Sequence, residues 1–193
     1  MEPSTHTLSA PLQSTSHSRS MILPVAIGTL FLAASSWIMV PTVPVPVNMQ
    51  TYAVIVIGAL MGARMGVITV MAWLAEAALG LPVLSHATGG LHLFFGPTAG
   101  YLASFPVIAG LTGWLADRKL DGTVLRSFAG MLTANAINLA LGTLWLSSLI
   151  GWHRAVIAGF MPFWIGGLLK AGMATATILV ARKQLAKRAN PAA

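Results

Sequence analysis

The chain alternates between long apolar blocks and short segments that are polar or rich in proline and glycine. The first block, residues 21–40, has the length that a helix needs to cross a bilayer core of roughly 30 Å at a rise of about 1.5 Å per residue. Five more blocks follow, at residues 51–62, 65–79, 101–115, 125–149 and 162–181. The pattern predicts an all-α integral membrane protein with six transmembrane helices, of which the second and third are short.

Two irregular segments separate these blocks on one predicted side of the membrane. Residues 41–51 contain Pro41, Pro44 and Pro46, which hold the backbone extended. Residues 81–100 contain several glycines, which interrupt any spanning helix. Irregular backbone at membrane depth is tolerated only where it is buried in protein or lines a cavity. We therefore expect two ordered extracytoplasmic loops that cover a pocket opening outward.

The two ends of the chain differ from the blocks between them. Residues 1–20 are rich in serine and threonine and lack apolar periodicity, which is typical of a disordered polar tail. Residues 182–193 begin with a basic cluster, which attracts anionic lipid. We expect a single six-helix domain over residues 21–181, followed by a basic cytoplasmic C-terminal tail.

Charge is scarce along the chain. Only 8% of the 193 residues are charged, against roughly 25% in a soluble domain, which excludes an ordinary soluble enzyme. The formal net charge is +7, yet residues 20–63 and 77–116 carry no charge. The cations therefore form no basic face, and we expect no nucleic-acid partner. The chain contains no cysteine, which excludes disulfides, thiolate metal sites and cysteine nucleophiles.

The cations predict an orientation in the lipid bilayer. With six crossings, nine of the eleven Lys and Arg residues fall on one side, namely Arg19, Arg64, Arg118, Lys119, Arg126, Arg182, Lys183, Lys187 and Arg188. Only Arg154 falls on the other side. Cytoplasmic segments carry the excess of Lys and Arg, so both termini are predicted to be cytoplasmic.

Lys170 is the eleventh cation, and it lies inside the sixth block, with no charge in residues 155–169 or 171–181. An ammonium at that depth is costly unless it is paired or hydrated. It can therefore act as the counter-ion of an anionic ligand. Alternatively, its side chain extends to the membrane interface or forms a structural ion pair with Glu76.

Glu76 is the only acid within the apolar blocks. It can pair with Lys170, accept hydrogen bonds from a ligand or carry a proton. Trp73 and Trp164 neighbour Glu76 and Lys170 in the sequence, which makes them candidates for an aromatic wall around an apolar ligand. Packing and interfacial anchoring are the ordinary alternatives for tryptophan.

Polar side chains follow the prolines. An extended loop presents alternate side chains to a pocket at low entropic cost, and the amides of Asn48 and Gln50 can each donate and accept hydrogen bonds. Asn48 or Thr51 can instead cap the second helix. Asn135 and Asn138 share one face of the fifth helix, where hydrogen bonding between helices is the expected role.

His86 and His92 flank the paired glycines of the second loop, and no third ligand is evident nearby. Hydrogen bonding within the loop is therefore expected rather than metal binding. The sequence shows neither a phosphate-binding glycine loop nor a serine, histidine and acid set. We accordingly expect no catalytic residue and no cofactor.

Five stretches, in this order along the chain, resemble the BioY family, the biotin-specific substrate-binding (S) components of energy-coupling-factor (ECF) transporters. They are VPVPVNMQT (43–51), GALMGAR (58–64), LAEAALGLPV (74–83), GPTAGY (96–101) and PFWIGGLLK (162–170). The resemblance covers residues 23–182. It implies a six-helix protein of a bacterial inner or plasma membrane that captures biotin from outside with high affinity. The family commonly joins a transmembrane coupling protein and a pair of ATPases.

The resemblance also suggests what each candidate residue binds. The carboxylate of biotin needs a cation, for which Lys170 is the candidate. The ureido group needs donors and acceptors, and the candidates are Gln50, Asn48 and Glu76. The thiophane ring needs apolar walls, for which the candidates are Trp73, Tyr101, Phe163 and Trp164. The family pattern has an acid three positions before the lysine, where this sequence has Gly167.

Three other functions are compatible with the sequence. The chain can be an S component for another small vitamin. An intramembrane enzyme would need Glu76 and a histidine close together at one depth, and a structural membrane subunit would bind no small molecule. Small residues of the first block, such as Ala26 and Ala33, suit either contact with a coupling partner or packing within the protein.

Overall fold

Long helices dominate the computed structural model, which describes residues 15–119 and 123–189. They are α1 (Thr15–Trp37), α2 (Gln50–Ala78), α3 (Ala99–Asp117), α4 (Val124–Ile150), the short α5 (Trp152–Ala155) and α6 (Met161–Ala189). A π-helical turn, Val156–Phe160, joins α5 to α6.

The connections between helices contain little regular structure. Strands β1 (Met39–Val40) and β2 (Val47–Asn48) form an antiparallel pair, with Met39 opposite Asn48. The proline segment between the strands contains a cis peptide bond at Val43–Pro44. Two 3₁₀ turns, Ser85–Ala87 and Leu91–Phe94, lie between α2 and α3.

The described helices follow the predicted blocks with shifted ends. α1 begins at Thr15, inside the segment that was expected to be a disordered tail, and α6 continues to Ala189. The rest of the two predicted tails, residues 1–14 and 190–193, lies outside the described residues. Helices α1 and α6 thus extend into the two predicted tails.

Four helical segments are long and apolar enough to cross a membrane: Gln50–Ala78, Ala99–Asp117, Val124–Ile150 and Trp152–Gln184. The apolar part of α1, Met21–Trp37, is shorter. Large apolar side chains also face outward, including Leu30 at 70% exposure and Leu169 at 65%. A surface of this kind is covered by lipid in a membrane protein. The chain is an all-α membrane protein.

Helix α2 is not a straight rod, because the chain reverses direction at Gly62. Gly62 has φ 80° and ψ 170°, a conformation that is nearly restricted to glycine. In a continuous helix Gly58 and Gly66 would be roughly 12 Å apart, yet a Cβ atom on Gly66 would lie 2.8 Å from the Cα of Gly58. The halves 50–61 and 63–78 therefore lie side by side, and they correspond to the second and third predicted blocks.

The reversal gives the molecule two different ends. At the end that holds Gly62, called the turn end, the Asp117 carboxylate accepts the N–H of Ala63 at 2.9 Å. Arg182 donates to the carbonyl of Ala59 at 3.4 Å at the same end. The anion lies where one half of α2 starts and the cation lies where the other half ends, so both complement the helix dipoles. The opposite end, called the loop end, carries residues 38–49 and 79–98.

Glycines allow α2 and α3 to pack closely. A Cβ atom on Gly58 would collide with the backbone of Ala109, and one on Gly113 would collide with the backbone of Ala63. Small residues permit this approach of helix backbones in membrane proteins. The contact fixes α3 against both halves of α2 and so sets where the two helices meet at the loop end.

Candidate binding site

A cavity of about 450 Å³ lies at the loop end, which is within the size range of small-molecule sites. The proline segment, the loop after α2 and the helices α2, α3, α4 and α6 all contribute to its wall. Five of the predicted ligand residues line it, namely Asn48, Gln50, Tyr101, Phe163 and Lys170. Residues that are distant in the sequence therefore meet around one cavity.

Lys170 provides the cationic side chain of α6 in the cavity wall. It is only 8% exposed, and no hydrogen bond or ion pair to its ammonium is found within residues 15–119 and 123–189. Phe163 lies two helical turns earlier on the same face of α6 and also lines the cavity. A buried cation without a protein counter-charge is unfavourable. The cavity is therefore suited electrostatically to an anion.

Asn48 and Gln50 belong to a chain of hydrogen bonds that runs from α1 to the loop after α2. The Asn48 Nδ2 donates to Gln50 Oε1 at 2.8 Å and to Ser85 Oγ at 2.7 Å. The Asn48 Oδ1 accepts the backbone N–H of Gln50 at 3.1 Å, and Gln50 Nε2 donates to Ser36 Oγ at 3.1 Å. Asn48 thus satisfies a free N–H at the start of α2 and also tethers the loop.

The two amides differ in the hydrogen-bonding capacity that they keep. Both protons of the Asn48 amide nitrogen are already used, by Gln50 and Ser85. Gln50 uses one of its two amide protons and one oxygen lone pair, which leaves one donor and one acceptor. Gln50 is therefore the amide that can both donate to and accept from a ligand, whereas Asn48 keeps only an acceptor and orients Gln50.

Aromatic rings form the apolar part of the wall. The rings of Tyr101 and Phe163 are nearly parallel, with centroids 6.0 Å apart and an interplanar angle of 28°. The Tyr101 hydroxyl donates to the carbonyl of Gly159 at 2.7 Å, so its polar group is already bound by the protein. Phe105 also lines the cavity.

Asn138 joins three helices at the side of the cavity. Its Nδ2 donates to Ser104 Oγ of α3 at 2.6 Å, and its Oδ1 accepts from Thr51 Oγ1 of α2 at 3.5 Å. The predicted hydrogen bonding between helices is confirmed for this residue, which also lines the cavity. Asn135 instead donates to the carbonyl of Met131 within α4 at 3.1 Å.

Three tryptophans attach the loop after α2 to the helices. The indole N–H groups of Trp37, Trp73 and Trp145 donate to the carbonyls of Pro82, Val83 and Gly96, at 3.2, 3.1 and 3.0 Å. The part between these attachment points, residues 84–95, is called the lid. It adds five residues to the cavity wall: Leu84, Ser85, His86, Thr88 and Leu93. The lid is thus held at both of its ends by side chains of three helices.

Three predicted ligand residues lie outside the cavity. Trp73 is fully buried and packs against Phe105, with ring centroids 5.8 Å apart. Trp164 is 49% exposed, because it is rotated by about 100° from its neighbour Phe163 on α6. Glu76 is half-buried, and the described part of the chain shows no ion pair between it and Lys170. The aromatic wall predicted from the two tryptophans is formed by other rings.

Sequence reasoning did not identify Ser85, Leu93 or Phe105 as wall residues. Ser85 and Leu93 belong to a lid without helical or strand periodicity, so no pattern indicates which way they point. Phe105 lies one helical turn after Tyr101, and this spacing could have identified it. Across residues 15–119 and 123–189, no three His, Asp or Glu side chains come together as a metal-binding group.

The chain is similar to proteins described as biotin transporters. It is 34% identical to the "Probable biotin transporter BioY" of Pyrococcus horikoshii, over 83% of this chain and 95% of the relative. It is 30% identical to the "Biotin transporter BioY" of Thermotoga maritima, over 84% of this chain and 95% of the relative.

A solved structure has the same fold. The crystal structure of the S-component for biotin from an ECF-type ABC transporter superposes with a TM-score of 0.74 at 27% identity. The match covers 89% of this chain and 95% of that chain. The family model of the BioY family matches residues 7–187, which is nearly the whole sequence. The chain therefore belongs to the BioY family.

Proposed function

We propose that this chain captures biotin with high affinity in the cavity at the loop end and serves as the S component of a biotin uptake transporter. The observation that carries the proposal is Lys170, a buried cation without a protein partner in the described ranges, on the wall of a cavity of about 450 Å³. The relatives and the solved structure, whose names all specify biotin, support the choice of ligand.

The carboxylate of biotin supplies the charge that Lys170 lacks. A carboxylic acid with an ordinary pKa near 4 to 5 is ionised at neutral pH, so biotin enters as an anion. Pairing the anion with Lys170 replaces the lost hydration of the ammonium by a charge-assisted contact. Binding should therefore depend strongly on the carboxylate.

The remaining groups of biotin match the rest of the wall. The ureido group has two N–H donors and a carbonyl acceptor, and Gln50 keeps one acceptor and one donor for it. The thiophane ring is apolar and suits the Tyr101 and Phe163 pair. Asn48 contributes by fixing Gln50 and the lid. Glu76, Trp73 and Trp164 have no ligand contact in this proposal.

The proposed topology has six crossings with both termini in the cytoplasm of a bacterium. The reversal at Gly62 supports it, because the two halves of α2 then cross as the second and third spans. Arg64 lies two residues after Gly62, and Arg118 and Lys119 directly follow α3, so all three belong to the turn end. The excess of cations makes the turn end cytoplasmic. The loop end with the cavity then faces outward.

The proposed partners are a transmembrane coupling protein and a pair of ATPases. The structural match supports them, since that chain is the S-component of an ECF-type ABC transporter. The sequence has no phosphate-binding glycine loop, so an ATPase partner would supply the energy. Copurification with these partners after coexpression would test this part of the proposal.

A comparison of biotin with its primary amide tests the ligand assignment. The purified protein in detergent should bind biotin and unfold at a higher temperature, because a ligand that binds only the folded state stabilises it by about 2.7 kcal/mol at 100 times its Kd. Biotinamide has the same rings without the charge and should bind at least 30-fold more weakly. Calorimetry measures both affinities.

Variants of α6 provide the controls for this comparison. Lys170→Met should abolish the preference for biotin over biotinamide, whereas Lys183→Met, at an exposed position of the same helix, should leave it unchanged. Absence of binding by the wild-type protein would refute the proposed ligand. A panel of other vitamins in the same assay would then show whether the cavity serves a different one.

A further inference from the structure

Helix α5, the turn after it and α6 follow one another without a break, and we call them together the rod. The rod is irregular close to the cavity. The π-helical turn Val156–Phe160 precedes α6 directly. π turns are rare, occur mostly as single turns inside α-helices and are frequent at functional sites. Such a turn contains an additional residue, which rotates the following helix by roughly 100° relative to the preceding one. The turn therefore determines which face of α6 is directed at the cavity.

Tyr101 binds this turn through its hydroxyl, which donates to the carbonyl of Gly159 at 2.7 Å in a buried position. A Cβ atom on Gly159 would lie 2.7 Å from the Tyr101 hydroxyl oxygen, so a glycine at this position allows the close contact. Among the described residues, no other side chain is found to form a hydrogen bond with the backbone of this turn. The bond therefore links α3 to the irregular part of the rod.

The ring of Tyr101 is held in place independently of its hydroxyl. A Cβ atom on Gly142 of α4 would collide with the ring, and Phe163 of α6 stacks against it at a centroid distance of 6.0 Å. The ring thus packs against both α4 and α6. Tyr101→Phe should keep this packing and remove only the hydroxyl, with its hydrogen bonding to Gly159 and Thr143.

We infer that Tyr101 is a positioning residue, whose hydroxyl fixes the π turn and thereby the rotation at which α6 presents Lys170 to the cavity. The inference rests on the proposed function, because it assigns Tyr101 an effect on how the carboxylate of biotin is bound. Phe163 and Lys170 lie two turns apart on one face of α6, so a rotation of the helix would move both of them together.

A double-mutant cycle tests whether the hydroxyl acts through Lys170. Tyr101→Phe should weaken biotin binding threefold to tenfold, which is the range for one lost hydrogen bond. It should weaken biotinamide binding less than twofold, because biotinamide lacks the charge that pairs with Lys170. In the Lys170→Met background, Tyr101→Phe should have less than a twofold effect on biotin. An equal loss in both backgrounds, or no loss in either, would overturn the inference.

A second measurement is independent of biotin. The chain has no cysteine, so Lys170→Cys provides a unique thiol whose reaction with a water-soluble thiol reagent reports its access from the cavity. Adding Tyr101→Phe should slow this reaction at least threefold. The exposed control Gln184→Cys should react at the same rate with and without Tyr101→Phe. Unchanged rates at position 170 would overturn the inference, whereas slowing without biotin binding would contradict only the proposed function.

Discussion

The turn end and the loop end of the molecule use charge in opposite ways. Arg182 and Lys170 lie on the same helix, roughly 18 Å apart along its axis. Arg182 donates to the carbonyl of Ala59, and Asp117 at the same end accepts the N–H of Ala63. Lys170 is more deeply buried and has no such partner in the described ranges. Charge at the turn end stabilises the fold, whereas charge at the loop end is available to a ligand.

The largest expected effect contrasts two substitutions on α6. Lys170→Met should reduce biotin affinity by about 100-fold, yet raise the free energy of unfolding without ligand by about 1 kcal/mol, because it removes an uncompensated buried cation. Arg182→Met should lower that free energy and leave biotin affinity within twofold. Calorimetry and thermal unfolding in detergent measure the two quantities. If Lys170→Met and Arg182→Met changed biotin affinity and the free energy of unfolding in the same way, the two ends would not use charge differently.

The next effect concerns the reversal of α2. Gly62→Ala should lower the free energy of unfolding by about 2 kcal/mol, because φ is 80° and the new Cβ would lie 2.6 Å from Asp117 Oδ1. Gly172→Ala is the matched control, since no atom outside its own helix lies within 4 Å of its Cβ position. Thermal unfolding measures both variants, and an equal stability of the two would contradict the strained geometry at Gly62.

A smaller effect should follow when the loop end is made to resemble the turn end. Gly167 lies one turn before Lys170 and has space for a side chain, with the nearest atoms 3.8 Å from its Cβ position. Gly167→Asp should provide Lys170 with a partner and reduce the preference for biotin over biotinamide about tenfold. The neutral variant Gly167→Asn should retain the preference. If Gly167→Asp and Gly167→Asn had the same ratio of biotin affinity to biotinamide affinity, Lys170 would need no partner.

The smallest expected effect is that of the acid at the turn end. Asp117→Asn keeps an oxygen that can accept the N–H of Ala63 but loses the charge at the start of the 63–78 half. Stability should fall by about 0.5 kcal/mol, and biotin affinity should stay the same. Salt should reduce the difference in stability between wild type and variant, because surface charges are screened. A changed biotin affinity in Asp117→Asn would show that charge at the turn end affects ligand binding at the loop end.

The sequence predicts the helices well because apolar blocks long enough to cross a bilayer leave few alternatives. It also identifies Lys170, since a charge inside such a block is unusual. Trp73 and Trp164, which the sequence suggests as ligand residues, lie outside the cavity wall, because adjacency in the sequence differs from adjacency on a helix face. Trp164 follows Phe163 directly, yet Phe163 faces the cavity and Trp164 is exposed.

Irregular backbone accounts for most of what the sequence could not show. The lid has no repeating pattern, so its contribution of Ser85 to the amide chain depends on tertiary hydrogen bonds. The π turn before α6 likewise has no distinct composition, although it shifts the register of the helix. The two short blocks predict two separate spans, but no pattern in the sequence shows that they form one hairpin with its reversal at Gly62.

The hairpin of α2 also limits how the length of this chain can vary. The proline segment precedes the 50–61 half and the lid follows the 63–78 half. The positions of these two cavity-lining segments relative to each other therefore depend on the two halves that join at Gly62. An inserted residue in either half would displace the proline segment or the lid by about 1.5 Å and rotate it by about 100° relative to the other segment. Insertions should therefore be tolerated in the loops, and the number of residues in each half of α2 should be nearly invariant.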